Sequence, residues 1–236
     1  MFAQRIGAIC FIAASLWSFP LAAQYTVWID GQNLDSNFMR VYNVSLPPIG
    51  YVHFCHRNPN ECRQERTKLR RIGLTSERWS ELVSINKYVN ESVTPVSDQD
   101  LYGKLEFWTY PQYRGDCEDY VLLKRRMLVS KGWPLSSLLI TVVLDENGDG
   151  HAILTVRTAD GDFILDNKRQ KIVAWNESPY RFVKRQSYKN QRIWMSLMPD
   201  QRNASISSAN FQKAYPRKNP GGDLYSGKKK GTITVL

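Results

Sequence analysis

The stretch RGDCEDYVLLKRRMLVSKGWPLSSLLITVVLDENGDGHAILTVRTADGDFILDN, Arg114–Asn167, sets the architecture. Asp116 is placed to cap a helix, and acidic residues in a first turn suit the partial positive charge at a helix start. Tyr120, Val121, Leu123, Met127 and Leu128 follow a helical period and predict the buried side, leaving Lys124, Arg125 and Arg126 for solvent. Gly132 and Pro134 end the helix. The run SSLLITVVLD is apolar without alternation, which predicts a strand covered on both faces. ENGDG turns the chain into a second strand, HAILTVRT, and ADGD turns it into a third, FILDN. A helix followed by an antiparallel meander indicates the α+β class, with helices packed on an antiparallel sheet.

Upstream, residues 61–90 read as helical. In SERWSELVSINKYVNESV the residues Trp79, Leu82, Val83, Ile85 and Val89 lie close to a 3.6 period, with Ser76 as N-cap. Thr94–Pro111 reads as a loop, and YGKLEFWTYPQY within and beyond it is an aromatic run suited to wall a cleft. Downstream, Lys168–Trp194 adds one more strand and short elements. From Pro199 the chain is polar, rich in Gly, Pro and Lys, and aperiodic. A length of 236 residues with 42% apolar content suits one domain with a real core.

The N-terminus reads as a signal peptide, residues 1–23. MFAQR is positive, IGAICFIAASLWSF is an apolar run of about fourteen residues, and PLAAQ offers small residues for cleavage after Ala23. An uncleaved anchor is the alternative, although the run is short for a membrane span. The expected organisation is then residues 24–46 as an N-terminal segment, 47–198 as the main domain and 199–236 as a basic flexible tail, in a periplasmic or secreted protein. The formal charge of +10 suits acidic substrates or anionic envelope polymers. Nucleic acid is not an expected partner of an exported chain without a matching motif, and a monomer is expected.

Cleavage removes Cys10 and leaves Cys55, Cys62 and Cys117. In an oxidising compartment an odd count leaves one thiol over. Cys55 and Cys62 flank HRNPNE, whose Asn58-Pro59 step favours a turn, so the pair can close a small loop worth about 2 to 3 kcal/mol. A zinc site of Cys55, His56 and Cys62 is the rival, but it lacks an evident fourth ligand. Cys117 is the orphan, and an exported chain that keeps a free thiol invites a functional reading.

Cys117 opens a helix, His151 opens a strand and Asp166 ends the next. A thiol needs a base, and a base needs an orienting acceptor. The other two histidines, His53 and His56, bracket Cys55, so His151 alone lies on an element that can pack beside the Cys117 helix. Direct opposition of His151 and Asp166 needs a connection centred between Thr158 and Ala159. A two-residue Asp160-Gly161 turn would instead set Asp166 opposite Thr155, about 13 Å from His151 along the strand. A wider loop around Arg157–Asp160, or a bulge, is therefore expected.

GDCEDYVLLKRRML, KGWP, LITVV, GHAILTVRT and LDN, in this order and spacing, resemble the bacterial transglutaminase-like cysteine peptidases, the family of the LapG-type periplasmic proteases. The resemblance spans about residue 47 to residue 198. It implies a papain/transglutaminase-like fold, with Cys117 as nucleophile, His151 as general base and acid, and Asp166 as orienter. The implied activity is peptide-bond hydrolysis through a thioester. LapG-type enzymes clip a large surface adhesin and are restrained by an inner-membrane cyclic-di-GMP receptor, so the resemblance implies a protein substrate and a membrane receptor. It also implies calcium, held by Asp116, Glu118 and Asp119.

The residues supply a physical reason for an ion. Three carboxylates within four residues repel one another and raise the pKa of the thiol between them, and a cation counters both effects. Favour from the helix dipole is the plainer account, and Asp119 alternatively braces the helix start. Asp145–Gly150, DENGDG, matches half of an EF-hand loop, but position twelve falls on Val156, so it reads as a hairpin turn able at most to lend an oxygen. The Cys117 N–H is the expected first oxyanion donor, with Trp108, Tyr110, Gln112 and Tyr113 as candidates for the second. Two rivals remain open on the residues: acyl transfer to an amine on the same triad, and a non-catalytic envelope binding module.

Overall fold

The computed structural model describes residues 28–29, 32–34, 36–63 and 71–199. The expected signal peptide, and the expected tail beyond Pro199, lie outside the described residues. In chain order the elements are β1 (Trp28–Ile29), β2 (Gln32–Asn33), β3 (Val44–Ser45), α1 (Ile49–Arg57), a 3-10 turn (Pro59–Cys62), α2 (Ser76–Ser92), β4 (Thr94–Pro95), α3 (Asp98–Tyr102) and β5 (Arg114–Gly115). There follow α4 (Cys117–Ser130), β6 (Leu138–Leu144), β7 (Gly150–Arg157), β8 (Asp162–Leu165), β9 (Val173–Ala174), β10 (Arg181–Gln186) and β11 (Trp194–Ser196).

Seven strands form one sheet in the order β3-β11-β10-β6-β7-β8-β9, each neighbour antiparallel. The helices cover one face. Tyr51 and Phe54 of α1, Leu82, Ile85 and Val89 of α2, and Tyr120, Val121 and Leu128 of α4 pack with Leu138, Ile140, Leu154 and Leu165 of the sheet. A smaller core of Met39, Val143, Ile153, Ile164, Trp175, Phe182 and Leu197 covers the other face. The unbroken apolar run of β6 therefore has partners on both sides. Each fully buried Leu or Ile contributes about 1.5–3 kcal/mol by leaving water.

The helix at Arg114–Gly132 has a wider buried arc than its apolar period predicts. Of the three basic residues assigned to solvent, only Arg126 is exposed; Lys124 and Arg125 are buried. Packing explains the difference, since α4 is held between α2 and the sheet. Arg125 Nε donates to the Leu138 carbonyl at 3.2 Å. α2 runs antiparallel to α4, tied at one end by Tyr120 Oη donating to Val93 O and at the other by Trp133 Nε1 donating to Glu81 Oε2 at 2.8 Å. The N-cap of α2 is Thr75 rather than Ser76, its hydroxyl accepting from Arg78 N–H at 3.3 Å. Residues 71–75 lie outside the helix expected over 61–90.

The segment 94–111, expected as loop, contains β4 and α3. β4 pairs in parallel with β5, Thr94 with Arg114 and Pro95 with Gly115. This short ladder joins the end of α2 to the start of α4. Cys55 and Cys62 form a disulfide with a Cα–Cα distance of 5.6 Å.

Candidate active site

The start of α4 lies against β7. Cys117, the free cysteine among the described residues, accepts a hydrogen bond at Sγ from the Ala152 N–H at 3.3 Å, one residue beyond His151. His151 is 3% exposed, and its Nε2 lies 2.9 Å from Asp166 Oδ1. Asp166 also accepts from the Tyr180 hydroxyl and, at 3.0 Å, from Lys168 N–H. Burial opposes charge on Asp166, but the hydrogen bonds from His151 and Tyr180 outweigh it and hold the carboxyl below the usual range.

The expected wide loop or bulge before Asp166 is corrected. Arg157 pairs with Asp162, and Thr158 N–H donates to Gly161 O at 2.9 Å, so the tight turn is centred between Ala159 and Asp160. The Thr158 hydroxyl fixes it by accepting from both Asp160 and Gly161 N–H at 3.1 Å. Extended by one residue, this ladder sets Asp166 abreast of Ile153, diagonal to His151 rather than opposite. Diagonal neighbours on one face are within reach of long side chains, and here the imidazole closes the gap.

The acidic residues at the helix start form a second cluster. Carboxylate oxygens of Asp98, Asp116 and Glu118 lie within 4.8 Å of one another. Asp98 was not a candidate on the sequence, because it sits 18 positions before Asp116. The β4–β5 ladder brings the two together, and Asp98 N–H donates to Asp116 Oδ2 at 3.1 Å. SDQD, with Ser97 capping α3 through Asp100 N–H, was the local signal for the helix that carries it. Asp119 stands outside this group of three, accepting at Oδ1 from Thr109 N–H at 2.8 Å and packing under Gly115. A Cβ at Gly115 would fall 2.5 Å from Asp119 Oδ2.

Three oxygens here, Asp98 Oδ1, Asp116 Oδ1 and Asp119 Oδ2, are buried without a hydrogen-bond partner. Burial and the charge of Asp116 push Glu118 up to about 10, and burial pushes Asp119 up to about 8. The thiol of Cys117 donates to Glu118 Oε2 at 3.2 Å. Burial, then the Glu118 charge, raise that thiol well above its ordinary value. Unsatisfied hard oxygens crowded together are the donor set that a divalent cation such as calcium takes.

The DENGDG turn is committed elsewhere, since Asp145 accepts from Asn147 and Asp149 N–H and pairs with Lys168 Nζ at 2.7 Å. Among the oxyanion candidates, Trp108 Nε1 and the Tyr110 hydroxyl donate to Glu106 and Glu61, while Gln112 and Tyr113 are exposed.

Residues 41–202 match the family described as bacterial transglutaminase-like cysteine proteinase. The chain belongs to this family. It is therefore a cysteine peptidase, a hydrolase of peptide bonds, and its α+β architecture is of the transglutaminase-like kind. No curated protein sequence matches the chain. Solved structures similar to it include Legionella pneumophila LapG, with 22% identity over 58% of this chain and 77% of that one and a TM-score of 0.44. The calcium-bound form of that protein is 20% identical over 58% and 80% of the two chains with a TM-score of 0.44; the EGTA-treated form is 22% identical over 58% and 79% with a TM-score of 0.42. Among the described residues no helix is long and apolar enough to cross a membrane.

Proposed function

We propose that this cysteine peptidase is an exported, calcium-dependent endopeptidase working through Cys117, His151 and Asp166. The observation that carries the reading is the buried His151–Asp166 pair, with the Cys117 sulfur at the start of α4 bonded to the N–H of the next residue, Ala152. With Nε2 engaged by Asp166, Nδ1 is the imidazole nitrogen left to take the proton of Cys117. The thiolate then attacks the scissile carbonyl carbon, and the carbonyl oxygen becomes an oxyanion that the Cys117 N–H at the helix start stabilises. The imidazolium gives its proton to the leaving amine as the C–N bond breaks, leaving a thioester. His151 next takes a proton from water, hydroxide adds to the thioester, and the carboxylic product departs as the thiol is restored.

The Cys117 thiol donates to Glu118, a partner that does not help to remove its proton. Asp98, Asp116 and Glu118 would hold the calcium, with Asp119 bracing the aromatic loop beside them. Calcium held there would supply positive charge that offsets the clustered carboxylates, including Glu118, which otherwise bonds the thiol. The calcium-bound and EGTA-treated states of the LapG structures support this reading. Resemblance to LapG-type enzymes supports a periplasmic setting, a large surface adhesin as substrate and an inner-membrane receptor as regulator. The test compares proteins released from cells carrying wild type with those from cells carrying Cys117→Ser. Terminal sequencing of the difference should give one protein and one cleavage site, lost in chelator and restored by calcium. Identical release from both strains overturns the reading.

A further inference from the structure

We propose that Lys124 is a positioning residue for Asp166: its buried ammonium group backs the carboxylate that seats His151 and joins it to a polar layer formed by Asn86 and Asn90 of α2. The inference rests on the triad proposed above. Lys124 lies two turns after Cys117 on α4, is fully buried, and its Nζ has no hydrogen-bond partner. An amine in that state is costly to keep. An apolar side chain of similar length would fill the space, so the amine is retained for what its charge does to a neighbour.

That neighbour is Asp166. Burial lowers the Lys124 amine to about 7, and the Asp166 carboxylate acts against that fall. The antiparallel packing of α2 on α4, fixed by the Tyr120–Val93 and Trp133–Glu81 hydrogen bonds, sets Lys124 abreast of the Asn86–Asn90 turn. Both asparagines grip the segment that carries Asp166. Asn90 Nδ2 donates to Asp166 O at 2.8 Å, and Asn86 Nδ2 donates to Gln170 O at 2.9 Å. Each keeps a buried Oδ1 without a partner.

An amine lacking acceptors and two amide oxygens lacking donors thus share the layer behind Asp166, where ordered water is the usual link. The titratable and charged groups around this layer are Tyr120 on α4, whose ring centre lies 5.9 Å from Nζ, Asp166 after β8, His151 and Tyr180 bonded or packed to that carboxylate, and Lys168 and Arg169 just after it, the first paired with Asp145 at 2.7 Å and the second 5.8 Å over the Tyr180 ring. α2 contributes only the two neutral amides.

The test is the rate at which iodoacetamide alkylates Cys117 across pH, in calcium chloride, for wild type, Lys124→Met, Asp166→Asn and the double variant. Lys124→Met should keep the wild-type melting temperature and circular dichroism, yet alkylate about tenfold more slowly at neutral pH. Its acid limb should move to higher pH, because Asp166 loses the cation behind it. In the Asp166→Asn background the same substitution should add nothing. The proposal is overturned if Lys124→Met alkylates like wild type, or slows Asp166→Asn as much as it slows wild type. Should Lys124→Met fail to fold, Lys124→Gln, which keeps a donor but no charge, is read in the same way; failure of both to fold assigns Lys124 to structure and overturns the proposal. If Asp166→Asn itself alkylates as fast as wild type, the triad is what fails and the role of Lys124 falls with it.

Discussion

Asp166 and the cluster of Asp98, Asp116 and Glu118 are two acidic centres drawn largely out of water, and they behave in opposite ways. Asp166 receives three donors, from His151, Tyr180 and Lys168 N–H, and stays ionised despite its burial. The cluster's three carboxylates share three donors, Phe107 N–H, Asp98 N–H and the Cys117 thiol, leave Asp98 Oδ1 and Asp116 Oδ1 unpartnered and push Glu118 toward its neutral form. Burial alone therefore does not decide charge; the supply of donors does. One site is satisfied by the chain's own donors, whereas the other leaves acceptor oxygens over.

The largest expected effect breaks the complete site. Asp166→Asn should lower the rate of peptide hydrolysis by roughly 10³- to 10⁴-fold, since the neutral amide no longer stabilises the imidazolium or enforces its tautomer. A kinetic assay on the substrate identified by terminal sequencing measures it, and calcium should not restore the loss. The second effect falls on the incomplete site. Calcium at about a hundred times its dissociation constant should add about 2.7 kcal/mol of stability. Asp98→Asn should weaken that affinity by at least about tenfold, read as a smaller calcium-induced rise in melting temperature. An equal rise in both proteins would remove Asp98 from the ligand set.

Tyr180→Phe sharpens the contrast by deleting one donor from Asp166. A hydrogen bond to a charged group contributes about 1.5–3 kcal/mol, so the rate should fall about tenfold, with the loss greatest at acid pH where Asp166 now protonates first. The smallest effect lies at the DENGDG turn. Lys168 holds the Asp145 carboxyl down to about 2. A depressed carboxyl adds stability that is present above its unfolded value, about 3.9, and is lost as pH falls toward the folded one. Lys168→Ala should therefore flatten the decline of melting temperature between about pH 4 and pH 2.

The elements around the site were legible because their signals are local. The helix at Cys117 has a cap and a stop, and β6 and β7 are apolar runs separated by a turn of Gly, Asn and Asp. The contribution of Asp98 was not legible, since it depends on a parallel ladder of four residues without periodicity. Lys124 was misread because helical period reveals one buried arc, whereas α4 has two neighbours. The register of the β7–β8 hairpin was one step off both geometries weighed, because the Thr158 hydroxyl holds a turn at Ala159-Asp160.

The aromatic segment between α3 and β5 hangs from the acidic residues by its own backbone. Phe107 N–H donates to Asp98 and Thr109 N–H to Asp119. Its two ends meet where Asp98 touches Asp116. On the proposed function, a calcium ion seated there would act as a drawstring on this aromatic wall, so its concentration would set the shape in which a target peptide is received as well as the state of the sulfur.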